Sequence, residues 1–86
     1  MSWNIAFKSK ANKSLQQLDN TIQIRIVDFL NKLALQDNPR LQGKALTGEY
    51  AGLWRYRVGD YRIICNIQDN QLTILVLQLG HRKNIY

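Results

Sequence analysis

Leu53-Trp54-Arg55-Tyr56-Arg57-Val58-Gly59-Asp60-Tyr61-Arg62-Ile63-Ile64 is the stretch that decides the fold of this 86-residue chain. Aromatic and branched residues run on both sides of a Gly-Asp pair, which is the pattern of two strands joined by a tight turn. Strands are expected over 53–58 and 61–68. If Gly59-Asp60 is the whole loop, Val58 pairs with Tyr61, Arg57 with Arg62 and Arg55 with Ile64. Side chains alternate faces along a strand, so Arg55, Arg57 and Arg62 share one face. Like charges placed opposite each other weaken a hairpin. The arginine face therefore reads either as a site for an anion or as cations solvated or paired from elsewhere in the fold.

Working outward, Asp69-Asn70 marks a second turn and Gln71 to Leu79 a third strand. The same register puts Leu75, Leu77 and Leu79 on the arginine face. Either that face is a partly apolar groove, or the last strand is shifted by one residue, which swaps its two sides. Upstream, Trp3, Ile5 and Phe7 alternate as in a strand over 2–7. Lys8 to Leu18 predicts a short helix. Asn20 and Gln23 have the spacing of a capping box. Thr21 to Gln36 predicts the main helix, with Ile22, Ile26, Phe29, Leu30 and Leu33 on one stripe. Asp37-Asn38-Pro39 ends it, and 40–52 reads as a loop. The expected fold is a single α+β domain over 1–86, in the order β-α-α-β-β-β. It has a mainly antiparallel sheet with two N-terminal helices packed on one face.

Twelve Lys and Arg against six Asp and Glu give a formal charge of +6. That balance suits nucleic acid, an anionic surface or an acidic protein as partner. One cysteine excludes an internal disulfide, and one cysteine with one histidine cannot form a usual zinc site. No signal peptide and no membrane span is expected. A reduced, cytoplasmic protein without metal or cofactor fits this composition. The tail Gly80-His81-Arg82-Lys83-Asn84-Ile85-Tyr86 then places the sole histidine, two cations and a tyrosine at the end of the last strand.

The hairpin core, the Lys44-Ala45-Leu46-Thr47-Gly48 stretch and the Gly80-His81-Arg82 ending together resemble the RelE/ParE superfamily of type II toxins. The resemblance covers essentially the whole chain. It implies a toxin that cuts messenger RNA in the ribosomal A site without metal, by attack of the ribose 2′-hydroxyl. It further implies functional positions at Arg55, Arg62, Arg82 and Tyr86. A RelB-like antitoxin is implied as partner, with operator DNA reached only through that antitoxin and no membrane role. The scaffold also serves ParE-type gyrase inhibitors, which have no nuclease activity, and fold alone does not separate these functions. A basic nucleic-acid-binding module without catalysis is a third reading.

Within the resemblance, Arg62 and Arg82 are expected to hold the scissile phosphate. Arg55, Arg57, Lys44 and Lys83 are expected to contact RNA backbone, and Tyr86 to stack on a base or orient the ribose. The chain departs from nuclease relatives that carry a lysine on the second strand as general base. Arginine stays protonated and cannot readily replace it. His81 is then the expected acid or base, with Glu49 second.

Overall fold

The computed structural model describes residues 2–85. Strand β1 (Asn4–Phe7) is followed by helices α1 (Ser9–Gln16) and α2 (Asn20–Leu33). Then come β2 (Lys44–Ala45), β3 (Trp54–Val58), β4 (Tyr61–Gln68) and β5 (Thr73–His81). The strands form one five-stranded sheet in the order β1-β5-β4-β3-β2. β1 runs parallel to β5 and every other pair is antiparallel. The α+β class, the two helices and the hairpin are those expected.

Ala11 and Leu15 of α1 and Ile26, Leu30 and Leu33 of α2 pack on Tyr56, Ile63, Cys65, Ile74, Val76 and Leu79. Each aliphatic side chain buried this completely is worth about 1.5–3 kcal/mol. Both helices thus cover one face of the sheet. Tyr56 is the largest side chain in this core. Its hydroxyl donates to Pro39 O at 2.8 Å, which satisfies the phenol and anchors the 3-10 turn Pro39–Gln42. Gly43 lies under the ring, where a Cβ would come within 2.9 Å of Tyr56 Cε1.

The β3–β4 register is the expected one, with Val58 opposite Tyr61, Arg57 opposite Arg62 and Arg55 opposite Ile64. In β5 the pattern is broken by a bulge. Ile64 pairs with Gln78 but Cys65 pairs with Val76, leaving Leu77 as the extra residue. The bulge reverses the alternation. Leu79 therefore turns into the core, 2% exposed, together with Val76 and Ile74, and does not stand on the arginine face. Leu75 keeps its place opposite Asn66, on the side of Ile64. The end of the strand is thus shifted by one residue relative to its start, and Leu75 keeps the expected side while Leu79 does not.

Other expectations need correction. The capping box does not form, because Asp19 occupies the cap position and no side chain caps the helix. Gln23 instead donates from Nε2 to Leu18 O at 2.8 Å, tying the helix to the preceding turn. α2 stops at Leu33, and Leu35 and Gln36 continue it only through tighter bonds to Lys32 O and Leu33 O. The β4–β5 connection is not a two-residue turn. Asp69–Gln71 form a 3-10 turn and Leu72 follows in the left-handed region at φ 47°. Arg40 grips the Asp69 carboxylate through two hydrogen bonds of 3.1 and 2.6 Å, which fixes this connection to the segment after α2. Inside the expected 40–52 loop, Lys44 and Ala45 pair with Arg55 and Trp54 as a short edge strand.

Candidate functional site

The hairpin sets the site. Gly59 takes the left-handed conformation (φ 59°) that a two-residue turn requires and that glycine adopts without steric penalty. β5 extends past its expected end and carries Gly80 and His81 into the sheet, opposite Arg62 and Tyr61. The chain then turns, and the Arg82 N–H donates to Asp60 O at 2.8 Å. That bond fastens the tail to the hairpin tip. Arg57, Arg62 and Arg82 thereby meet, with Gly59 and Asp60, around one cleft of about 60 Å³. Arg57 and Arg82 are exposed and Arg62 is half-buried. A larger cleft of about 210 Å³ adjoins it, lined by Arg55, Arg57, Lys44, Gly43, Gln42 and Phe29. Arg57 stands between the two. The result is a basic strip from Lys44 through Arg55, Arg57 and Arg62 to Arg82.

His81 is not part of that strip. It pairs with Tyr61, their rings 5.6 Å apart in an edge contact. Alternation along β5 puts it on the face opposite Gly80 and Arg62. It lines a separate cavity of about 360 Å³ with Ser14, Gln17, Leu18, Tyr61 and Asn84 among others. Its Nδ1 accepts the Lys83 N–H at 3.3 Å. Glu49 is exposed in the turn Gly48–Tyr50 and lines neither arginine cleft. Asp60, the one acidic residue that the hairpin register sets beside the arginines, lines their cleft and offers its backbone carbonyl to Arg82. Lys83 is exposed in the terminal turn and lines neither arginine cleft, and Tyr86 lies outside the described residues.

Cys65 is buried in the sheet, and burial pushes its thiol pKa up to about 12, so it is a packing residue and not a nucleophile. Among the described residues no three His, Cys, Asp or Glu side chains cluster as metal ligands would. No helix among them is long and apolar enough to cross a membrane.

The family described as ParE toxin of type II toxin-antitoxin system, parDE, matches residues 5–86. The chain belongs to this RelE/ParE superfamily of type II toxins. Toxin RelG of Mycobacterium tuberculosis is 33% identical over 86 residues, covering 100% of this chain and 98% of that protein. Toxin RelE of the same organism is 30% identical over 84 residues, covering 98% of this chain and 86% of that one. The toxin–antitoxin complex RelBE2 from M. tuberculosis contains a chain that superposes with a TM-score of 0.86 at 30% identity, over 95% of this chain and 93% of its own. The protein is a RelE-like toxin of a type II toxin–antitoxin system.

Proposed function

We propose that this toxin is a ribosome-dependent endoribonuclease that cleaves messenger RNA in the cytoplasm. The convergence of Arg57, Arg62 and Arg82 on one cleft, fixed by the Arg82–Asp60 bond, is the observation that carries this reading. Three guanidiniums around a small cleft suit the scissile phosphate, whose non-bridging oxygens gain charge as the 2′-hydroxyl attacks. Donors already in place there lower the barrier without reorganisation. Arg55, Lys44 and Lys83 hold the flanking backbone, and Tyr86 stacks on a base. Attack by the 2′-oxygen on phosphorus forms the 2′,3′-cyclic phosphate and breaks the bond to the 5′-oxygen of the next nucleotide, which takes a proton from solvent and leaves as the 5′-hydroxyl. The ribosome supplies the in-line geometry, a contribution worth several kcal/mol in well-oriented systems. Because His81 faces away from this cleft, Asp60 and solvent are the acceptors there for the 2′-hydroxyl proton.

An antitoxin partner is supported by the likeness to a chain of the RelBE2 complex. An acidic antitoxin segment laid along the Lys44–Arg82 strip neutralises the toxin by occupying the place of the message. Operator DNA is then met through the antitoxin.

The test is a reaction on programmed ribosomes, read by primer extension. The wild type is expected to cut the message in the A site, and Arg62→Ala/Arg82→Ala to bind ribosomes without cutting. Intact messages with wild-type protein would sink the proposal. A second reading is favoured by the ParE description of the matching family: inhibition of gyrase. DNA damage in expressing cells, with messages uncut, identifies it.

A further inference from the structure

Arg25 lies on α2, one helical turn before Phe29. Phe29 packs against Tyr56 with ring centroids 5.9 Å apart, which lays this face of α2 along β3. From that contact α2 runs back toward the hairpin tip, and the Arg25 side chain ends there. A Cβ built on Gly59 would meet Arg25 Nη2 at 3.3 Å, Nη1 at 3.7 Å and Cζ at 3.8 Å. Gly59 is itself part of the wall of the cleft lined by Arg57, Arg62 and Arg82. Asp28, the carboxylate three residues along the helix, is engaged by Lys32 at 3.0 Å. Among the described residues, no carboxylate pairs with Arg25. A guanidinium held against a tip that already carries three others raises the repulsion there, and a polyanion relieves it.

We propose that Arg25 is a fourth cation of the phosphate site, meeting the RNA phosphate next to the one held by Arg57, Arg62 and Arg82. The message then passes over the hairpin tip toward α2, so the helix layer takes part in binding. This assignment rests on the nuclease reading and names how its substrate is laid out.

The test uses a short single-stranded RNA fully 2′-O-methylated, which lacks the attacking hydroxyl and is bound without being cut. Its affinity is measured against salt for the wild type, Arg25→Gln, Arg25→Lys and Lys10→Gln, the last removing a charge from an exposed position on α1. One lost phosphate contact on a single strand lowers the slope of log K against log salt by about 0.7. Arg25→Gln is expected to show that drop, Arg25→Lys to keep the wild-type slope, and Lys10→Gln to leave it unmoved. An unchanged slope in Arg25→Gln, or an equal drop in Lys10→Gln, overturns the assignment. If both hold the wild-type slope while Arg62→Ala/Arg82→Ala loses binding, only Arg25 is misassigned. If the wild type shows no salt-dependent binding, the Arg25 assignment falls, while the nuclease reading is decided separately by cleavage on programmed ribosomes.

Discussion

Arg57 on β3 stands directly opposite Arg62 on β4, so two guanidiniums share one rung of the sheet. A like-charged pair in that position opposes folding by about 0.2–1 kcal/mol, and the same pair lines the proposed phosphate cleft. Arg57→Thr is expected to raise the urea midpoint, corresponding to a gain of up to about 1 kcal/mol, while weakening message cleavage. A variant that loses both stability and cleavage would show that the pair is structural.

Gly43 lies close against the ring of Tyr56. Gly43→Ala forces a Cβ to 2.9 Å from a buried ring that is itself held by the Pro39 bond. Overpacking of this kind costs about 1–3 kcal/mol. Tyr56→Phe leaves the Pro39 carbonyl without its buried donor, a loss of about 1–3 kcal/mol. Burial raises the Tyr56 phenol pKa well above its ordinary value. A group raised in the folded state contributes stability that is full below its unfolded pKa and fades as pH rises. Wild-type stability should therefore fall above about pH 10, and Tyr56→Phe should show less of that fall. Chemical denaturation across pH checks all three expectations.

Arg40 and Asp69 join the segment after α2 to the β4–β5 connection. The hydrogen bonds from Arg40 hold the Asp69 carboxyl below its usual pKa. A depressed carboxylate contributes stability above its unfolded pKa, and that contribution is lost as pH falls through the folded value. Asp69→Asn should lower the melting temperature at neutral pH, with the gap to wild type closing below about pH 4. Thermal melts from neutral to acid pH read this directly. A gap that is constant with pH would mean the loss comes from the turn and not from the ion pair.

The hairpin was legible because its information is local: a Gly-Asp pair between alternating strands dictates who faces whom, and Arg57 opposite Arg62 follows. The two helices were legible for the same reason, through the stripe from Ile22 to Leu33. What escaped depended on contacts far along the chain. The bulge at Leu77 has no signature in an apolar run, since Leu75, Leu77 and Leu79 look alike until the sheet assigns them to different sides. The two-residue strand Lys44–Ala45 is too short to show a period and exists only because β3 lies beside it. The placement of His81 followed from neither composition nor spacing. It required knowing that β5 continues through Gly80, so that neighbours in the tail point to opposite faces.

That alternation yields the sharpest expectation for the chemistry. Arg82 reaches the cleft through its bond to Asp60, whereas His81 packs on Tyr61 across the strand. A positioned acid or base contributes about 10²–10⁴ in rate, and one charge-stabilising donor about 10²–10³. Arg82→Ala is therefore expected to lower single-turnover cleavage on programmed ribosomes by about 10²–10³. His81→Gln should stay within about a factor of ten of wild type, well short of a lost acid or base. Asp60→Asn keeps the backbone carbonyl that Arg82 uses and removes only the carboxylate. It should slow cleavage while leaving ribosome binding intact. A His81→Gln variant that binds ribosomes normally and loses the full acid–base factor would place the histidine in the reaction, and would mean that the strand end rearranges when the message binds.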